Sequence, residues 1–266
     1  AGKMALEHIP AELESMDARK PIVLTSRETT AAGLTTVFKK ALYESDIVLG
    51  AVYDRIYPYA TINQINDLAL LFRERGCDSI IALGGGSIMN VAKGLNIAVS
   101  LGGHLADYAG EDRISSHLKP LIYVATGSVN GKETTSQAYV DNHKFVSTFL
   151  LPDVVIIDNR MVRSLDPQSA VDSSLAALTA AIESCAYPYS NPMSDLYANV
   201  AIKLIFNNLP RVIKKPRDRE ACRALANAHA VAGIAFSNVP EGMAFSLGRA
   251  IAHDTSYSMG ACMGVL

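Results

Sequence analysis

Between Pro21 and Thr126 short apolar runs alternate with segments of helical spacing, and no other feature of the sequence restricts the fold as much. "PIVLTS" (21–26) is apolar until its last two residues and reads as a strand buried on both faces. "TTAAGLTTVFKKALYES" (29–45) has apolar residues at helical intervals. "IVLGAVYD" (47–54) is strand-like again, and "TINQINDLALLFRERG" (61–76) is a helix with Gly76 as its cap. "DSIIALGGG" (78–86) runs from strand into turn, Ser87 to Ser100 reads as helix, and "PLIYVAT" (120–126) makes a fourth strand. That rhythm is the signature of βαβ units around a parallel sheet.

"QAYVDNHKFVSTFLLPDVVIIDN" (137–159) breaks the rhythm with two β-rich runs around "DNHK", a hairpin signal, and a last strand ending at Asp158. From about Ser164 the texture is helical: "QSAVDSSLAALTAAIESCAY", "MSDLYANVAIKLIFNNL" and "DREACRALANAHAVAGIAF" carry apolar faces with few strand formers. The expected organisation is an α/β domain over 1–160 and an all-helical domain over 161–266. The chain opens on Ala1-Gly2-Lys3 and stops at Leu266 inside an apolar segment, which suggests missing helices.

The 266 residues include 24 basic and 26 acidic ones, a net charge of −2, so nothing favours nucleic acid or an anionic membrane surface as a partner. No apolar run reaches the roughly 18 residues of a membrane helix. Cys77, Cys185, Cys222 and Cys262 lie far apart without a C-x-x-C pair, which fits small buried hydrophobes in a reducing cytoplasm.

"ALGGGSIMNVAKG" (82–94) is where ligand chemistry is expected. Gly84, Gly85 and Gly86 lack Cβ atoms, so the chain can turn sharply and approach a ligand closely. The helix start behind them offers N–H groups and a positive partial charge to an anion. Lys93, in the second turn, can reach a phosphate or ribose. The motif is neither G-x-G-x-x-G nor G-x-x-x-x-G-K-[ST], and a turn that merely packs tightly is the alternative. A second strand-following loop, "VATGSVNGKET" (124–134), holds Thr126, Gly127, Ser128, Gly131, Lys132 and Thr134, and with two such loops a phosphate-bearing ligand is the stronger expectation.

"GCDSIIALGGGSIMNVAKG" resembles the cofactor loop of the iron-containing (group III) alcohol dehydrogenases, C-D-x-I-x-A-x-G-G-G-S-x-x-D-x-A-K. "VATGSVNGKETT" is similar to a degraded form of their P-T-T-x-G-T-G-S-E-x-T loop. "LPDVVIIDNRMVRSLDP", "AALTAAIESCAYPYSNPMSDLYANVAI" and "AVAGIAFSN" carry the resemblance across essentially the whole chain. It implies a dehydroquinate synthase-like fold: a Rossmann-like parallel-sheet domain, then a helical domain, here shorter than usual at both ends. It also implies a homodimer acting on a small alcohol or aldehyde. By resemblance, Gly84, Gly85, Gly86 and Ser87 hold the diphosphate of a dinucleotide with Lys93 nearby, and Thr126, Gly127 and Thr135 line its site. Asn90 stands where the family usually has Asp. Many NAD-using relatives carry an acid where this chain has Ser26. Ser26 followed by Arg27 would accept a 2′-phosphate, which favours NADP over NAD.

The family's metal ligands are an Asp and a His four residues apart on one helix face, then two further histidines. In this sequence those positions are Ala176, Ala180, Phe245 and Met259, and no other histidine (His8, His104, His117, His143, His229, His253) is spaced to replace them. No bound metal is expected. A metal that polarises the substrate oxygen supplies several kcal/mol, and at about 1.4 kcal/mol per decade its uncompensated loss costs several powers of ten in rate. Arg249, at a position the family places near the nicotinamide, His253 one turn on, and Lys132 are the candidate catalytic substitutes. The expected function is NAD(P)-dependent hydride transfer between an alcohol and an aldehyde or ketone. The alternative is a nucleotide-binding pseudoenzyme with an oligomeric or partner-docking role.

Overall fold

The computed structural model describes residues 1–57, 59–127, 129–162 and 167–266. The chain forms two compact units: Ala1–Ala125 with Ser136–Met161, and Thr126–Thr135 with Val162–Leu266.

The first unit contains strands β1 (Pro21–Leu24), β2 (Ala51–Tyr53), β3 (Ser79–Gly84), β4 (Gly110–Glu111), β5 (Leu121–Ala125), β6 (Gln137–Val140), β7 (His143–Val146) and β8 (Val154–Ile156). Five of them form a parallel sheet in the order β2-β1-β3-β5-β8. The apolar runs of β1, β3 and β5 are buried at every residue, as strands covered on both faces must be. Alternate residues serve opposite faces. Val23, Ile81, Leu83, Ile122 and Val124 join Ile9 and Leu13 of α1 (Ile9–Ser15) and Leu34 and Phe38 of a later helix in one core. Helix α4 (Ile62–Glu74) begins at the Thr61 cap and packs on α5 (Gly86–Ser100), which in turn packs on β3.

The hairpin expected around "DNHK" is β6–β7, turning through Asp141 at φ 48, and with β4 it forms a separate three-stranded sheet. The single helix expected over 29–45 is two, α2 (Arg27–Ala31) and α3 (Leu34–Ala41). Gly33 stands between them at φ 75, a left-handed conformation that ends one helix and starts the next.

The second unit contains α6 (Pro167–Ala186), α7 (Pro192–Lys214), α8 (Arg219–Ser237), α9 (Met243–Asp254) and α10 (Met259–Val265). Asn191 and Ser194 form a capping box at the start of α7, while Asp218 and Ser258 cap α8 and α10. Alanines fill the seam between α6, α7 and α8: Ala177, Ala181, Ala198, Ala201, Ala228 and Ala232 are all buried there. Residues 126–135, expected in the first domain, belong instead to this unit. Thr134 Oγ1 donates to the Ala230 carbonyl at 2.6 Å, and Ser237 Oγ donates to the Thr134 carbonyl at 3.2 Å. Among the described residues no helix is long and apolar enough to cross a membrane, and the four cysteines are free thiols.

Candidate functional site

In the first unit the chain leaves β1 for β2 on one side and returns to β3 on the other, so the carboxyl ends of β1 and β3 meet at the point where strand order reverses. Open α/β sheets bind ligands there. Buried Thr25, just past β1, donates from Oγ1 to the Leu83 carbonyl at 2.8 Å and ties the two strand ends together. Tyr123 of β5 donates its hydroxyl to the Gly84 carbonyl. Gly84 adopts φ 153, and a Cβ there would run into the Ile88 side chain. Gly85 caps α5 with no side-chain bond, and Gly85, Gly86 and Ser87 are half-buried. The first-turn N–H groups of α5 are therefore not spent on a capping side chain and can meet an anion.

Among the other residues read as cofactor-binding, Ser26, Asn90, Lys93 and Thr135 have side-chain partners within the fold. Ser26 Oγ caps α2, accepting from the Thr29 N–H at 3.2 Å, and lies 3.1 Å from Thr29 Oγ1. Arg27 is exposed. Glu28, overlooked in the sequence, is held below the usual carboxylate range by its own main-chain N–H and the Ser26 hydroxyl, with Arg27 adding to both. A persistent negative charge thus stands beside Ser26. Asn90 Oδ1 accepts from the Tyr139 N–H at 3.3 Å. Lys93 is fully buried and donates from Nζ to the Gln137 carbonyl at 2.9 Å. Both side chains pin α5 to β6.

In the second unit Thr126 is fully buried, and its Oγ1 has no hydrogen-bond partner among the described residues. Gly127 is half-buried, and Ser128 lies outside the described residues. Glu133, 1% exposed, accepts the Gly131 N–H at 3.0 Å, and Thr135 Oγ1 donates to the Lys132 carbonyl at 3.1 Å. The loop lies against α8 through glycines. A Cβ on Gly131 would stand 3.0 Å from the His229 carbonyl oxygen, and one on Gly233 would overlap the Gly131 carbonyl. His229 faces a pocket lined also by Thr126, Val129, Ala170 and Leu225. Its Nε2 is 3.0 Å from Ser174 Oγ, and burial lowers its pKa to about 4, keeping the ring neutral.

Lys132 and Arg249, two of the three candidate catalytic substitutes, lie close enough for the Arg249 charge to act on the Lys132 amine. Burial, with the nearby Arg249 cation, pushes the Lys132 amine down to about 8 while Glu241 opposes the shift. Glu241, 8% exposed, pairs with Arg249 at 3.7 Å and accepts from Ser246 Oγ at 3.1 Å. His253 instead stands exposed, its Nδ1 2.9 Å from Asp254.

The four positions that the resemblance assigns to metal lie in one apolar cluster. Ala176 and Ala180 of α6 pack with Phe245 of α9, Phe236 of α8 and Met263 of α10, and Met259 packs against them. None offers an oxygen or nitrogen donor, so these side chains do not fit an iron or zinc ion. Among the described residues no group of three or more His, Cys, Asp or Glu is arranged to hold one elsewhere.

A family model described as iron-containing alcohol dehydrogenase matches residues 1–159, and one described as Fe-containing alcohol dehydrogenase family, C-terminal, matches 170–266. The NAD-dependent methanol dehydrogenase of Bacillus methanolicus is 26% identical over 270 residues, covering 99% of this chain and 71% of the relative. The 4-hydroxybutyrate dehydrogenase of Cupriavidus necator is 28% identical over 265 residues, covering 96% and 66%. The crystal structure of a 1,3-propanediol oxidoreductase superposes with a TM-score of 0.92 at 26% identity, over 98% of this chain and 70% of that one. A sulfoacetaldehyde reductase from Bifidobacterium kashiwanohense, in complex with NAD+, has the same fold at a TM-score of 0.87 and 24% identity, covering 99% and 71%.

Proposed function

The chain belongs to the iron-containing alcohol dehydrogenase family, and on that footing we propose that it is a nicotinamide-dependent oxidoreductase that moves a hydride between a small alcohol and its aldehyde or ketone. The observation that carries the reading is the glycine turn at the carboxyl end of β3, set against β1 by the Thr25–Leu83 bond where the sheet's strand order reverses. Gly84, Gly85, Gly86 and Ser87 would receive the diphosphate on the first turn of α5. The dinucleotide in this reading is NAD. Arg27 would meet a 2′-phosphate, but Glu28 keeps a charge that repels one, and the Bacillus relative is named for NAD.

The family's iron has no ligands at its four positions, so the proposed chemistry runs without it. In oxidation the alcohol C–H would leave as hydride to the nicotinamide ring, and the hydroxyl proton would pass to the neutral Lys132 amine. Reduction reverses both transfers, with the Lys132 ammonium as donor. Arg249 would stabilise the alkoxide oxygen as charge develops on it. His253, exposed against Asp254, has no part in this scheme. The reading includes a homodimer in the cytoplasm.

A second reading, a nucleotide-binding pseudoenzyme, draws on the apolar filling of the metal positions. Fluorescence titration with NADH and NADPH, then assay with short aldehydes in EDTA, separates the two. NADH binding with EDTA-resistant turnover is expected. Binding without turnover selects the pseudoenzyme, and no binding refutes the glycine-turn assignment.

A further inference from the structure

We infer that the cluster at the family's metal positions is a structural staple, fastening α9 and α10 to α6 and α8 by apolar contact rather than through an ion. The inference concerns the second unit alone and stands whether or not hydride transfer is found.

All four helices contribute. Ala176 and Ala180, one turn apart on α6, give a shallow face. Phe236 comes from α8, Phe245 from α9, and Met259 and Met263 from α10. The Phe236 and Phe245 rings lie 4.4 Å apart at 36°, in close tilted contact at the short edge of the separations aromatic pairs favour. All but half-buried Met259 are less than a tenth exposed. A hard cation would need donor atoms that these side chains lack, and it would have to open a packed core to enter.

The surroundings hold the four helices at the distance this packing needs. Glu183 of α6 accepts from the Ala244 and Phe245 N–H groups at 2.7 and 3.1 Å, capping α9 where its own N-cap, Gly242, has no side chain to do so. Gly248 of α9 lies against Met263, and Gly260 of α10 lies against the Asp172 main chain of α6. Thr179 Oγ1 donates to the Met263 carbonyl at 3.4 Å. The small residues let the backbones approach, and the large apolar side chains close the gap between them.

The test reads metal content and thermal stability on protein purified without chelator. Expected are less than about a tenth of an equivalent of iron or zinc, and a Tm moved neither by EDTA nor by excess Zn²⁺ or Fe²⁺, since a ligand specific for the folded state would raise it. Phe245→Ala should lower Tm by roughly 5 °C or more, and Phe245→Leu should recover most of that loss. If Phe245→Ala does not fold, Met259→Ala, at the cluster's edge, should show a smaller drop. Near-stoichiometric metal, a Tm lowered by EDTA, or a Tm unchanged in the Phe245 and Met259 variants would each overturn the inference.

Discussion

Gly131 and Gly233 meet main chain to main chain: the loop carbonyl of one occupies the space that a Cβ of the other would need. Contact this close sets Thr134 against Ala230 and carries Lys132 with it. Gly233→Ala must push the loop off α8 or unwind a turn of the helix. Calorimetry should show a Tm lower by several degrees, and aldehyde reduction should fall at least tenfold as Lys132 is displaced. An unaltered Tm would mean that the loop is not seated on the helix as described.

Lys132 links the proposed chemistry to pH. Its folded pKa of about 8 lies below the ordinary 10.5, so the fold disfavours its charged form. Below pH 8 folded and unfolded chains both carry the proton, and the fold bears the whole penalty. From about 8 to 10.5 the unfolded chain holds more proton, and stability rises with pH. Denaturant titrations at pH 7.5, 9 and 10 should show this rise in the wild type and its loss in Lys132→Met. Aldehyde reduction should decline above about pH 8 as the ammonium donor is lost.

Glu28 and Arg27 oppose one another at the proposed ribose. Glu28→Gln should tighten NADPH binding about threefold or more and leave NADH nearly unchanged, since both residues are exposed and partly screened. Arg27→Ala should weaken NADPH alone. Fluorescence titrations on the two variants give the ratio, and a parallel change for both nucleotides would place the pair away from the 2′ position.

His229 is neutral in the fold because protonating it there would bury a charge. Between pH 6.5 and 4 the unfolded chain takes up a proton that the folded chain refuses, so stability falls as pH falls, by about 3 kcal/mol at pH 4. His229→Gln, which can still bond Ser174, should flatten that part of the acid unfolding curve.

What could be read from the sequence was what a few neighbouring residues decide. The buried strands show as apolar runs, the β6–β7 hairpin as "DNHK", and the turn after β3 as three glycines in a place where Gly84 must take a positive φ. What escaped depends on contacts across long stretches of chain. Lys93 looks like a phosphate ligand until β6, more than 40 residues on, offers the Gln137 carbonyl. Residues 126–135 look like part of the sheet domain until α8, about 100 residues later, supplies Gly233. Ser26 carries an N-cap signature that its place at a strand end obscured, and Glu28 followed it unnoticed. The four metal positions could be placed only by resemblance. That they share a cluster with Phe236 and Met263 is decided by how α6, α8, α9 and α10 pack, which no local pattern encodes.

The alanine seam of the helical unit bears on how this sequence can drift. Where helices approach on methyl groups, an added carbon has nowhere to go: Val at Ala181, Ala201 or Ala232 would force apart helices that are in contact along their length. Replacement by Gly loosens the helix it sits in by up to about 1 kcal/mol. Each of these sites therefore has hardly any neighbours in sequence space, and a population of descendants should accumulate its changes on the outer faces of α7 and α9, leaving the seam as the slow-moving record of the fold.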